Sequence, residues 1–217
     1  MRHTLPLHAR AIGLGATLAA APLGAQTPAL FHLDRPHSSI GFTVRFMGLS
    51  TVRGQFTDFR GAMLYREPDV TASSVTVVIQ TASIHTGGGF RDRHLRSPDF
   101  FDAEKYPVIL FQSRSIEKTN GGFIARGPLT IHGVTKDVAI PFVQTHGRMK
   151  DAWENVRVGF EGRLRLNRKD FGVMGTAFWN SEFDPGRFAV ADSVDIELQV
   201  SAQQFNFERR SAPMSDT

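Results

Sequence analysis

The sequence predicts an all-β fold: about eight long antiparallel strands closed into a barrel, with one short helical insert capping an end. Three observations lead there. Apolar and polar residues alternate with period two over most of the chain. The alternating stretches are joined by short glycine- and asparagine-rich turns, which suit antiparallel neighbours, whereas parallel strands need long crossovers. A single charged, helix-prone segment, Thr81 to Pro107, interrupts the pattern.

The first clear strand starts at Ile40, where Ile40, Phe42, Val44 and Phe46 share one face against Gly41, Thr43 and Arg45. Residues 50–66 read as a long strand or a bent pair, with Gly54 and Gly61 as kinks or bulges. Glu67 to Asp69 is a turn, and the β-branched run from Ala72 to Ile84 is another strand. Beyond the insert, Val108 to Lys118 is a strand, and "TNGG" (119–122) signals a tight hairpin. Phe123 to His132 returns, Gly133 to Lys136 turns, and Asp137 to His146 follows. Glu154 to Arg168 alternates, and Asp192 to Phe205 brings Val194, Ile196, Leu198 and Val200 into phase. No repeated βα pattern or linker marks a second domain. So many long strands have exposed edges to protect, and closure removes them. A two-sheet sandwich is the second reading. A barrel of this size either packs solid or holds one small ligand.

The insert begins where Gly87 to Gly89 break a strand. "RDRHLRS" suits a short helix, and Pro98–Asp99 suits the start of a second that Pro107 stops. Leu95, Phe100 and Phe101 are expected to turn inward and close the barrel. Arg91, Asp92, Arg93, His94, Arg96, Asp99 and Asp102 would form the outer shell.

Residues 1–25 lie outside this domain. Arg2 and Arg10 precede "AIGLGATLAAAPLGA", which ends in small residues, as in a secretory signal peptide cleaved after Ala25. That apolar run is about 15 residues, short of the roughly 20 that cross a bilayer. The domain then spans 26–207, and 208–217 is a polar tail without fixed structure. The chain contains no cysteine, which removes disulfides, thiol catalysis and Cys-ligated zinc. The formal charge of +4 falls by two without Arg2 and Arg10. Both signs are interspersed, unlike the concentrated basic face that nucleic acid requires. The aromatics are 18 Phe against 2 Trp and 2 Tyr, apolar area without a polar handle. That suits a large core or an oily cavity.

No nucleophile elbow, zinc-protease helix, P-loop or dinucleotide fingerprint is present. "SIEK" (115–118) lies on a strand, not the helix that a Ser-x-x-Lys nucleophile needs. His85, Asp92 and His94 match no zinc-ligand spacing, and His132 sits in a tight turn. No catalytic residue, metal or cofactor is expected.

"RDRHLRSPDFFDAEKYP", "GPLTIHGVTKDV" and "RLNRKDFGV" occur in one chain with "HSSIGFTVRF" and "VRGQFTDFRG". In this combination and order, the chain resembles the YceI-like family of polyisoprenoid-binding, or lipid-binding, domains over about Phe31 to Val200. One position departs from the family pattern: Phe46 stands where many members carry histidine. The resemblance implies an extended, lipocalin-like barrel secreted to the periplasm, with a long apolar ligand, an isoprenoid or fatty-acid derivative, inside it.

The lumen is then expected to be lined by the in-phase residues Phe42, Val44, Phe46, Phe56 and Ile79. Phe111, Leu129, Ile131, Phe160 and Leu164 continue the lining. Leu95, Phe100 and Phe101 of the insert and Phe171 of "RKDFG" complete it. Arg91 and His94 are the candidates for a polar mouth. A register slip by one residue would exchange these faces. Two other functions remain open: an enzyme acting on a lipid or quinone through His94, Asp92 or Arg91, and a solid-packed structural or partner-binding barrel. The aromatic loop from Gly175 to Ala189 either borders the mouth or touches a membrane, and a homodimer is left open.

Overall fold

The two longest alternating stretches at the N-terminal end are each broken once, at the same level. The computed structural model describes residues 28–205, so the leader (1–25) and the tail (208–217) lie outside the described residues. The first stretch is β1 (Ala29–Leu33) and β2 (Ser39–Phe46), parted by a 3-10 turn at Arg35–His37. The second is β3 (Ser50–Phe56) and β4 (Phe59–Tyr65). Arg35 Nη1 donates to Asp58 Oδ1 at 2.8 Å, tying the two breaks together. Gly54 and Gly61 are not the kinks: both stay within strands. They are small because side chains lie against them, the Phe42 ring on Gly54 and the Leu33 methyls on Gly61.

The chain continues through β5 (Ser74–Gln80), β6 (Ile84–His85) and α1 (Gly89–Arg96), then β7 (Val108–Gln112) and β8 (Ser115–Thr119). Next come β9 (Gly122–Ile131), β10 (Val134–Lys150) and β11 (Val156–Asn167). A small hairpin, β12 (Glu182–Asp184) and β13 (Arg187–Phe188), precedes β14 (Val190–Gln204). Eight strands form the closed antiparallel barrel, in the order β1-β4-β5-β7-β9-β10-β11-β14. The circuit closes where Phe31 of β1 pairs with Gln204 of β14 on one side and Met63 of β4 on the other. Closure leaves these eight strands without an open edge and rules out the sandwich. The β2-β3-β6 ribbon extends the wall from β14 at the α1 end.

Turn chemistry follows the sequence closely. Asn120 and Gly121 link Thr119 to Gly122 across β8 and β9. His132 and Gly133, with φ of 51° and 73°, make the two-residue turn between β9 and β10. Val134 already pairs with Ile131, so this turn is shorter than expected.

The insert holds one helix, not two. After α1, Ser97 O accepts from both Phe100 N and Asp102 N, and Phe101 N returns to Leu95 O. Asp102 has φ of 43°, a left-handed conformation that ends any helix begun at Pro98. These turns bury Phe100 and Ala103, so the segment covers the barrel end as expected.

Candidate functional site

Inward side chains do not fill the barrel completely. They leave two apolar chambers in two storeys. The chamber beneath α1 has a volume of about 130 Å³ and the far chamber about 120 Å³. Strand order makes the stacking explicit. On β7, Ile109 lines the α1 chamber and Phe111 the far one; on β14, Ile196 lines the first and Leu198 the second.

Phe42, Val44, Phe56, Leu95, Phe100, Phe101, Ile131 and Phe171 line the α1 chamber. Phe111 and Phe160 line the far chamber. Four expected residues line neither. Phe46 is half-buried one inward position beyond Val44, toward the β2–β3 turn. The other three are Ile79, Leu129 and Leu164. On β9, Ala125 belongs to the far chamber and Ile131 to the α1 chamber, with Leu129 between them. On β11, Gly162 and Leu166 flank Leu164 in the same way, and on β5 Ile79 follows the far-chamber residues Val75 and Val77. Leu129 is buried in the core cluster and Ile79 packs against it. Leu164 borders a groove on the outer wall beside Arg163 and Arg165. Of the three, Leu129 is the one that is buried between residues of both chambers. Alternation along each strand predicts the inward phase of these residues but not their height in the barrel.

The α1 chamber has one charged lining residue, Arg168. Its side chain is only 6% exposed, and the guanidinium is fully engaged with protein. Nε donates to Ala191 O at 3.1 Å, Nη1 to Val173 O at 2.9 Å and to Met174 O. Nη2 donates to Asn180 Oδ1 at 2.9 Å and Asp192 Oδ1 at 3.1 Å. Burial pushes its pKa down, and the Asp192 carboxylate works against that. A planar fork with five donors suits this convergence of acceptors. Arg168 thereby pins the aromatic loop, residues 174–189, to the start of β14. Phe171, in the same turn, is 3% exposed and lines the chamber.

The far chamber ends at Tyr65, which is fully buried. Its hydroxyl donates to Glu67 Oε1 at 2.9 Å and accepts from Gln144 Nε2 at 3.0 Å. Burial, with the Glu67 carboxylate, pushes the phenol up to about 12. Arg148 lies over the rings of Tyr65 and Phe31 at 5.5 and 5.9 Å.

Arg91 and His94, expected at a polar mouth, are on the wall of neither chamber. Arg91 Nε donates to Thr86 Oγ1 at 2.7 Å and its Nη2 to Thr86 O at 2.9 Å. His94 Nε2 lies 2.9 Å from Asp99 Oδ2, with its ring edge-on to Phe100 at 5.1 Å. Asp92, 4% exposed, accepts from Thr86 N at 2.9 Å and lies 3.2 Å from His85 Nδ1. Burial raises its pKa, but the Thr86 and His85 hydrogen bonds outweigh that and hold the carboxyl below its ordinary value. All three polar candidates are thus spent on shaping the insert, and a carboxylate so held is a weak base. Among the described residues, no group of three or more His, Asp or Glu side chains could hold a metal ion.

The lining residues missed from sequence include Ile84, Val173, Val190, Val194, Ile196 and Arg168. The in-phase run in β14 was a usable signal for Val194 and Ile196. Nothing local marks Arg168 as buried.

The model of the YceI-like domain matches residues 31–202. A UPF0312 protein of Vibrio parahaemolyticus is 40% identical over 195 residues, covering 88% of this chain and 94% of that protein. One from Vibrio cholerae is 38% identical over 171 residues, covering 77% and 82%. Among solved structures, Burkholderia cenocepacia BcnA superposes with a TM-score of 0.66 at 22% identity, covering 78% of this chain and 98% of BcnA. The YCEI protein of Campylobacter jejuni gives 0.59 at 28% identity, covering 80% and 97%. A polyisoprenoid binding domain from Saccharophagus degradans gives 0.57 at 15%, covering 81% and 98%. With the closed barrel and its apolar lumen, this match establishes that the chain belongs to the YceI-like domain family.

Proposed function

We propose that this protein binds one long-chain apolar lipid, a polyisoprenoid, an isoprenoid quinone or a fatty-acid derivative, inside the barrel. Binding is its function, without turnover of the ligand. The observation that carries this reading is a lumen with two stacked apolar chambers in which the one charged lining residue of the α1 chamber, Arg168, has its donors engaged with protein. The polyisoprenoid binding domain from Saccharophagus degradans shares the fold. The leader read over residues 1–25 supports action in the periplasm, in carriage, storage or stress protection.

The dimensions add a mechanism. An apolar cavity of about 150 Å³ takes a molecule the size of benzene. Neither chamber alone holds an isoprenoid tail. A long tail therefore spans both, and the side chains between them, Leu129 among them, move aside as it enters. Burial of the tail contributes roughly 25 cal/mol per Å² of apolar surface. Ordering the tail and displacing those side chains offset part of it.

Native mass spectrometry and solvent extraction of the purified protein test the reading. A co-purifying lipid of one chemical class, released on denaturation, supports it. A lumen that stays empty when the protein is incubated with polyprenols, quinones and fatty acids sinks it and favours the solid-packed barrel. Chemical conversion of a bound lipid would point to the enzyme instead.

A further inference from the structure

We propose that the α1 end of the barrel docks on the surface of an anionic lipid bilayer, with Phe90 and Phe178 as apolar anchors and Arg93 as a charge contact. Phe90, in the first turn of α1, is 78% exposed, and Phe178, in the 3-10 turn at Ala177–Asn180, is 60% exposed. Single exposed apolar residues are ordinary, but these two belong to one continuous surface. His94 lies four residues after Phe90, on the same helix face. Its ring meets Trp179 at 5.7 Å, and Trp179 meets Phe178 at 4.9 Å. Trp179 also meets Phe100 at 6.4 Å, and Phe100 lines the α1 chamber. The aromatic surface therefore runs from outside the molecule to the wall of the lumen.

Its charges favour an anionic partner. Arg91 and Arg93 are exposed on α1, with the Arg93 guanidinium 5.9 Å from the centre of the Phe90 ring. The acidic groups nearby are mostly committed. Asp92 is buried, and Asp99 pairs with His94. Glu104 is exposed beside Lys105. In the β12–β13 hairpin, Asp184 lies 3.7 Å from Arg187, while Glu182 accepts from Gly186 N. Exposed aromatic rings flanked by arginine are the composition that settles in the headgroup region, through apolar insertion and attraction to anionic lipid together. Continuity with an apolar lumen distinguishes a bilayer from a protein partner. A hydrocarbon chain can pass from one to the other along this surface with little contact with water.

The surface stands apart from what fills the lumen, because Phe90, Phe178 and Arg93 line neither chamber. Flotation of the mature chain with vesicles of phosphatidylcholine alone, or of phosphatidylcholine with phosphatidylglycerol, tests it. Binding is expected on the mixed vesicles, weakening as salt is raised. Phe90→Ser with Phe178→Ser should abolish it. Arg93→Gln should weaken binding to the mixed vesicles by about fivefold and leave the thermal midpoint unchanged. If the serine pair lowers the midpoint, Phe90→Leu with Phe178→Leu restores the fold and should restore flotation. Binding of a polyprenol in detergent should be unchanged in every variant, which separates this surface from the lumen. Equal flotation of wild type and the serine pair overturns the proposal. So does a dimer in light scattering that Phe90→Ser dissociates, since the patch would then serve a second copy.

Discussion

The Phe42 ring lies directly against Gly54. A Cβ at position 54 would come within 2.3 Å of the ring Cζ. Phe42 forms part of the α1 chamber wall, so this contact helps set the width of that chamber. Gly54→Ala forces the ring away, at a cost typical of overpacking, about 1–3 kcal/mol. Urea unfolding should show the loss, and a displaced ring should change the uptake of a fluorescent hydrocarbon. Unchanged stability would mean that the ring is free to leave its seat.

Leu129 makes a separate prediction. Leu129→Ala removes a buried side chain between the chambers, with an expected cost of about 2–5 kcal/mol. The same change joins the two spaces. Relative to its stability loss, the variant should take up a long-chain probe faster than wild type in stopped-flow fluorescence. Phe171→Ala, on one chamber wall rather than between the two, should lose comparable stability without that gain in rate.

Arg168 gathers carbonyls from Val173, Met174, Val190 and Ala191, together with Asn180 and Asp192. Arg168→Met leaves those acceptors and the Asp192 carboxylate without the guanidinium. Lys169 Nζ still pairs Asp192 at 2.9 Å, so the loss comes from the carbonyls left buried and unpaired, about 1–3 kcal/mol each. Lysine cannot reproduce the fork, so Arg168→Lys should recover only a small part. Amide hydrogen exchange should rise first across residues 174–189, which Arg168 pins.

Acid should destabilise the protein. Burial raises the Asp34 pKa, but the Arg157 and His37 hydrogen bonds outweigh it and leave it lowered. Arg157, 2.6 Å away, holds Asp151 far below the usual range, with help from Asn155. Asp92 is lowered as well. Carboxyl groups bound more acidic in the fold than in the unfolded chain contribute stability in full above the ordinary value of 3.8. That contribution is lost as pH falls below it toward each folded-state value. The urea midpoint should therefore be flat near neutrality and fall below pH of about 4. Asp151→Asn should lower the neutral midpoint and flatten the acid limb.

The alternation of Ile40, Phe42 and Val44, and its counterpart in β14, determined by itself which faces turn inward. Buried apolar surface is the dominant local signal, and it repeats every two residues along a strand. The hairpins were legible for an equally local reason, residues that tolerate positive φ: His132 and Gly133 adopt it at 51° and 73°, while in the Asn120–Gly121 hairpin it falls on Gly122. The second helix expected from Pro98 failed because propensity yielded to long-range need: turns that deliver Phe100 to the barrel end displaced a helix that would not. Arg91 and His94 looked like a mouth because their side chains are polar. Only the fold showed that Thr86 and Asp99 consume them.

Height along the barrel was decided by tertiary structure alone. Leu129 and Ile131 share a face and a character in sequence, yet one divides the lumen and the other lines it. The division depends on where neighbouring strands stagger, which their registers set and no single strand encodes. The burial of Arg168 is of the same kind, since its acceptors lie up to 24 residues away and converge only when the barrel closes.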